Sequence, residues 1–185
     1  GTGEFTDSLA IDRLTGLSRR LVNFIGQQNN AVLELKTKSA VIDNLAHLQH
    51  NGQTIVAWSL NSPFIMKGQE IRSATLLERL NAAKTCARWG YKLAFHFDPI
   101  IDHPNWQEGY RETIKTLFDV VPAEAIAWIS LGALRFLPSL KEIGIKRFPA
   151  SRIYFNEFIH GLDGKARYFR PNRVALYKFI YDCLQ

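Results

Sequence analysis

Short apolar runs alternate with helix-like stretches along this chain, and that alternation constrains the fold more than any other feature. Ala31-Val32-Leu33-Glu34-Leu35 reads as a strand. Ser39 to His50 reads as an amphipathic helix with apolar Val41, Ile42, Leu45 and Leu48, ended by Asn51-Gly52. Thr54 to Leu60 forms a second strand, and Ser73-Ala74-Thr75 caps a helix that runs to about Trp89 and stops at Gly90. Lys92 to Phe97 is a third strand, Trp106 to Val121 a helix, Ala125 to Leu131 a fourth strand, and Leu137 to Phe148 a helix. A strand end over residues 1–5 and a helix from about Leu9 to Gln27 precede them. Strands spaced by such helices imply βαβ units and a parallel sheet, and their two-sided apolar character fits burial on both faces. At least four and a half βα units are too many for a small sandwich and too few for a closed eight-stranded barrel. The expected fold class is α/β, a partial (β/α) TIM-type barrel truncated at its N-terminus, with a doubly wound open sheet as the alternative. Residues 1–150 are expected to form the barrel, and residues 151–185 a basic segment packed on it.

Composition narrows the class. The chain has 185 residues, 46% hydrophobic and 22% charged, which excludes disordered, collagen-like and coiled-coil proteins. No apolar run approaches the ~18 residues needed to span a bilayer, so no membrane partner is expected. No secretory leader is evident, and two cysteines are too few for a disulfide scaffold, so a cytoplasmic location is expected. The chain does not begin with Met and is expected to be part of a longer protein. Of the net charge of +6, +5 falls between Lys141 and Gln185. There Arg167-Tyr168-Phe169-Arg170, with Lys165 nearby, interleaves cations and rings, the pattern of phosphate contact and base stacking. A solvated basic helix face is the bland alternative.

Sites in parallel α/β folds form at the carboxyl ends of strands. Polar residues gather there: Thr6, Asp7 and Ser8; Lys36, Thr37 and Lys38; Ser59 and Asn61; His96 and Asp98; Ser130 and then Arg135. Each has a modest reading too. Asp7 or Ser8 can cap the first helix, Ser59 and Ser130 can satisfy loop backbone, and a lysine can pair with Glu34. Lys-Thr-Lys at a buried strand end nonetheless reads as an anion clamp. His96, Asp98, Asp102 and His103 form the most metal-like cluster, suited to a metal-dependent hydrolase, although Pro99 and Pro104 interrupt it. Cys86 and Cys183 read as structural thiols, and Gly161-Leu162-Asp163-Gly164-Lys165 as a turn.

These residues occur in an ordered set. It comprises Gly3-Glu4-Phe5-Thr6-Asp7-Ser8, Glu34-Leu35-Lys36-Thr37-Lys38, His50-Asn51-Gly52 and Trp58-Ser59-Leu60-Asn61-Ser62. It continues with Gly90 to Ile100, Trp106-Gln107-Glu108-Gly109-Tyr110-Arg111, Trp128-Ile129-Ser130-Leu131-Gly132 and Gly161 to Lys165. The set resembles the spore photoproduct lyase family of radical S-adenosylmethionine (SAM) enzymes, especially its photolyase-like branch. That resemblance implies a partial barrel whose rim binds SAM and a [4Fe–4S] cluster. It also implies radical reversal of a thymine dimer in DNA; the full-length parent is expected to be a monomer, although the sequence does not settle the oligomeric state. Position by position, it implies that Lys38 meets the cofactor carboxylate, that Ser59 also holds the cofactor, and that adenine approaches the backbone at Asp98. Lys36, Thr6, Ser8 and Asn61 lie on the same expected rim. Two departures stand out. No CxxxCxxC loop is present, so the cluster ligands are expected upstream of this segment, no metal site is expected within it, and the segment alone is expected to be inactive. Phe5 occupies the position of the hydrogen-donor cysteine. A non-catalytic nucleic-acid-binding module is the remaining alternative.

Overall fold

A computed structural model describes residues 1–2 and 6–185. The strand end expected over residues 1–5 falls mostly outside them, as does Phe5. The chain forms two compact units. The first comprises Gly1–Leu60, Arg72–His96 and Lys115–Ser130, and the second Asn61–Ile71, Phe97–Ile114 and Leu131–Gln185. Residues 151–185 thus share a unit with three earlier stretches of chain.

The main sheet has the order β1 (Leu33–Thr37), β2 (Thr54–Ser59), β3 (Lys92–Ile100) and β4 (Ile126–Ala133). β1 pairs with β2, and β2 with β3, in parallel; Ala57 lies between Lys36 and Ala94, and Ser59 beside His96. Every residue of β2 is buried, as the apolar run Ile55-Val56-Ala57-Trp58 requires for a sheet covered on both faces. Side chains alternate along each strand. Leu33, Leu35 and Thr37 are therefore buried on one face of β1, whereas Glu34 and Lys36 share the other face with Ile55 and Ala57. Small side chains on that second face, Ala57 and Ala94, pack with Ile55 in a buried cluster.

Helix boundaries follow local chemistry where that chemistry is strong. α4 (Leu76–Arg88) starts at the expected Thr75, whose hydroxyl accepts the Glu78 N–H while the Glu78 carboxylate accepts the Thr75 N–H at 2.7 Å. Gly90, at φ 87°, turns the chain out of it. The helix expected from Leu9 is divided by Gly16, at φ 57°, into α1 (Asp12–Thr15) and α2 (Leu17–Ile25). α5 (Trp106–Val120) and α6 (Pro138–Arg147) fall where expected. The helix expected over 39–50 does not form; only a 3-10 turn, Asp43–Leu45, is present. Ser39 accepts the Val41 N–H on its hydroxyl and the Trp58 indole N–H on its carbonyl. Ala46 is extended, and His47 takes φ 60°. A local side-chain bond thus competes with the helix, and Leu45 is buried without one.

In the second unit, α3 (Pro63–Gln69) follows the Ser62 cap. A small antiparallel sheet of order β5-β7-β6 is formed by β5 (Arg135–Phe136), β6 (Phe158–His160) and β7 (Ala166–Tyr168). The expected turn at Gly161–Lys165 joins β6 to β7, closed by the Gly161 N–H on the Lys165 carbonyl at 2.9 Å. Phe158 stacks on Tyr168 and meets Phe136 edge-on, each at 4.9 Å. α7 (Arg170–Leu184) completes the chain. Among the described residues no helix is long and apolar enough to cross a membrane.

Arg79, on α4, is fully buried. Its guanidinium donates to the carbonyls of Ser59 (2.7 Å) and Ala74 (2.9 Å) and to the Ser73 hydroxyl (2.9 Å). Removing it leaves buried acceptors unpaired, so Arg79→Ala lowers unfolding free energy by on the order of 3 kcal/mol. Arg79→Lys does not restore it, because one ammonium cannot reproduce the planar fork. Urea denaturation of the two variants measures both outcomes.

Candidate functional site

In the first unit the end of β1 is tied down by Asp7. Its carboxylate accepts the Thr37 hydroxyl (2.6 Å) and the N–H groups of Lys38 (2.7 Å), Leu9 (2.9 Å) and Ala10 (2.8 Å). The Lys38 carbonyl accepts the Ala74 N–H at 3.1 Å. Lys38 is thus held by its backbone on both sides, with a half-buried side chain at the strand mouth. Lys36 is also half-buried. Ser8 hydrogen-bonds the Thr2 hydroxyl at 2.6 Å and donates its N–H to the Lys36 carbonyl, whereas Thr6 is exposed. Ser59 ends β2 nearly buried, at 6% exposure.

Glu34 does not pair with a neighbouring lysine through any described contact. It accepts from His96 Nε2 at 2.7 Å, while His96 Nδ1 meets the Ser130 hydroxyl at 2.6 Å. The carboxylate only accepts, which places a ring hydrogen on Nε2. This line joins β1, β3 and β4 through side chains and occupies both nitrogens of His96.

In the second unit Asn61 is a brace rather than a ligand group. It is 2% exposed; its Nδ2 donates to the Pro99 carbonyl (2.8 Å) and its Oδ1 accepts the Tyr110 hydroxyl (2.6 Å). The rim role expected for its side chain is therefore corrected: internal bonds consume it. Asp98 is half-buried and lies against Gly132, where a Cβ would come within 2.6 Å of the Asp98 carboxyl carbon.

The two histidines of the metal reading are both hydrogen-bonded through their ring nitrogens. His103 Nδ1 donates to the Pro104 carbonyl (2.8 Å), Nε2 accepts from the Ser62 hydroxyl (2.6 Å), and the ring stacks on Phe64 at 4.8 Å. Burial holds its pKa below the ordinary imidazole value, so both nitrogens are committed in a neutral ring. The Asp102 carboxyl is pushed up by burial. Among the described residues no three His, Cys, Asp or Glu side chains are grouped to hold a metal ion.

The basic motif divides by side. Tyr168 is fully buried, and its hydroxyl accepts the Asp102 N–H at 3.1 Å. It is a core residue and cannot stack a base, which corrects the sequence reading. Arg167 is half-buried and paired with Asp163. The Asp163 carboxyl is held below its usual range, chiefly by the Lys165 N–H and then by Arg167. Lys165 is half-buried, while Phe169 and Arg170 are exposed. Sequence reasoning missed Arg79, Gly132 and the pairing of Glu34 with His96; each depends on what stands opposite in space.

The family model for spore photoproduct lyase matches residues 3–183. The chain belongs to the spore photoproduct lyase family. Spore photoproduct lyase of Bacillus subtilis (strain 168) is 30% identical over 179 residues, covering 96% of this chain and 50% of that protein. The Clostridium acetobutylicum enzyme of the same name is 27% identical over 177 residues, again covering 96% and 50%. This chain therefore spans about half the length of the curated relatives it matches. A solved spore photoproduct lyase mutant with bound AdoMet and dinucleoside spore photoproduct superposes at a TM-score of 0.90. It is 27% identical, and the match covers 98% of this chain and 56% of that one. The fold class is accordingly the α/β partial barrel of this family.

Two outcomes follow from the second unit. Gly132→Ala moves the Asp98 carboxyl aside, but that group is the far end of a flexible, half-buried side chain, so denaturant unfolding should change by less than about 1 kcal/mol. For His103 the folded pKa lies below the unfolded value, so its neutral form stabilises the fold above the ordinary imidazole pKa of 6.5. That contribution is lost as pH falls below 6.5. Stability of the wild type minus that of His103→Asn, measured from pH 8 to pH 5, should shrink over that window.

Proposed function

We propose that the parent protein is a radical SAM enzyme of the spore photoproduct lyase type, acting on a thymine lesion in DNA. The observation that carries this reading is the family match over residues 3–183, joined to a cationic strand end at Lys36 and Lys38 with a fixed backbone. Its donor chemistry suits an amino-acid carboxylate: an ammonium carried on a strand end whose backbone N–H and carbonyl are already bonded. Ser59, at the end of the neighbouring strand, offers a hydroxyl beside it. Lys38 and Ser59 are thus assigned to the cofactor, with Lys36 supplying a second positive charge and Ser8 and Thr6 the neighbouring rim.

The cluster fits differently. The chain has two cysteines; Cys86 is buried in α4, its thiol pushed up to about 12 by burial, and Cys183 lies in α7. Cys86 is thus no ready thiolate donor, and two cysteines cannot supply the three of a CxxxCxxC loop, so the iron ligands are assigned to residues outside these 185. When bound, cluster and SAM supply a 5′-deoxyadenosyl radical. This chain's own residues orient the cofactor and meet nucleic acid through Arg170 and Lys165. Phe5 brings no thiol to the place the resemblance reserves for a hydrogen-donor cysteine, which points to a different donor or lesion. The segment alone is expected to be inactive, and the parent is read as a cytoplasmic monomer.

The test uses the full-length parent, reconstituted anaerobically with iron and sulfide and reduced with dithionite. It should form 5′-deoxyadenosine from SAM. Lys38→Ala should raise KM for SAM about tenfold or more, the cost of one charge-assisted hydrogen bond, and Lys38→Arg should recover part of that loss. Absence of 5′-deoxyadenosine from the wild type overturns the reading.

A further inference from the structure

The stretch from α6 to the start of β6 has a composition that nothing described so far uses. Between Glu142 and Glu157 the chain carries Lys146, Arg147 and Arg152 and no acidic side chain. Phe148 and Phe155 are large apolar residues left 48% and 55% exposed. An arginine accompanies each: the Arg147 guanidinium lies 5.8 Å from the Phe148 ring centroid, and that of Arg152 lies 5.3 Å from Phe155. Arg147 and Phe148 border a cleft of about 730 Å³, and Arg152 and Phe155 border a second of about 350 Å³. Ala150 and Ile153 line both.

This segment is braced. The Ser151 N–H donates to the Phe148 carbonyl (2.9 Å) and the Phe155 N–H to the Arg152 carbonyl (3.1 Å), so each phenylalanine ends or begins a tight turn. The Ser151 hydroxyl donates to Gln69 Oε1 at 2.6 Å. Tyr154 lies against Gly144, where a Cβ would come within 2.4 Å of its ring, and meets Phe136 edge-on at 4.9 Å. The two rings are therefore presented on a preordered loop, which reduces the entropy lost when a ligand binds.

We propose that residues 146–155 form a track for an unpaired nucleic-acid strand, with Phe148 and Phe155 as stacking platforms and Arg147 and Arg152 as phosphate contacts. Exposed rings paired with cations suit bases and phosphates in succession; Asp102 also borders the second cleft, and burial pushes its carboxyl pKa up. An acidic protein segment would use the cations but not two separated flat rings, each at the mouth of its own cleft. The inference deepens the nucleic-acid reading above and rests on it. It locates strand binding apart from the Arg167–Arg170 motif, whose tyrosine is buried.

Fluorescence anisotropy of the 185-residue chain with a labelled single-stranded dT20, and with a 20-base-pair duplex, tests it across a salt series. The chain should bind dT20 more tightly than duplex. The double variant Phe148→Ala/Phe155→Ala should weaken dT20 binding about tenfold or more, while Phe148→Trp/Phe155→Trp retains it. Arg147→Ala/Arg152→Ala should flatten the log–log salt slope by about 1.4, two single-strand phosphates. Lys115→Ala, an exposed cation paired with Asp119, should change nothing, and circular dichroism checks that each variant is folded. Wild-type binding that the Phe and Arg variants leave unchanged overturns the track but not the nucleic-acid reading. No binding of dT20 by the wild type at low salt overturns both. Tighter binding to poly-glutamate or to phosphatidylserine vesicles than to dT20 also overturns the track.

Discussion

Where parallel strands end, their backbone groups leave the ladder while still inside a dry interior, and each must find a partner there. The rest of this structure depends on how that constraint is met. At β1 a single carboxylate, Asp7, collects four donors and secures the chain that leads into Lys38. At β2 the buried Arg79 fork takes the Ser59 carbonyl together with two acceptors just before α4. Beyond β2, Asn61 spans from the Pro99 carbonyl to the Tyr110 hydroxyl. Charged and amide groups are used because each offers several bonds in a fixed geometry. Charge-assisted bonds are also about twice as strong as neutral ones.

That solution separates structural polar residues from available ones. Asp7, Asn61, Arg79 and His103 are spent internally, and their chemistry is directed at the fold. Glu34, His96 and Ser130 form a line in which the carboxylate accepts from the imidazole and the imidazole meets the hydroxyl. Lys36, Lys38 and Ser59 lie at the ends of β1 and β2 in the first unit, where hydrogen bonds hold the backbone of Lys38 and of Ser59. A cation placed there suits recognition of an anionic group. In the second unit the same logic turns outward. Tyr168 and Tyr154 anchor the core and the loop, and Phe148, Phe155 and their arginines are left facing solvent.

Much of the architecture was legible because it depends on near neighbours. The four strands of the main sheet read as apolar runs, and α4 was located by its cap at Ser73-Ala74-Thr75. The Gly161–Lys165 turn was visible in its own composition. The segment 39–50 carried a helical spacing of apolar residues, but Ser39 and His47 redirected the backbone and only Leu45 needed to be buried. The rim was legible as a list of polar residues at strand ends, not as a division of labour among them. Asn61 and Lys38 look alike by that criterion, yet one is consumed by Tyr110 and Pro99. Arg79 sits on a helix where a cation is ordinarily solvated, and nothing adjacent in sequence marks it as buried.

The sequence alone therefore determined the α/β class, the strand–helix order, the capping and turn chemistry, the basic C-terminal quarter and the family resemblance. All of these are written in residue type and short spacing. Only the tertiary structure decided which polar groups are internal and which remain available. It paired Glu34 with His96 rather than with a lysine, turned Tyr168 into core, and set Gly132 against Asp98. The physical reason is that burial and partnership are properties of what lies opposite in space, and residues such as Glu34 and His96, or Asp98 and Gly132, are distant in the chain.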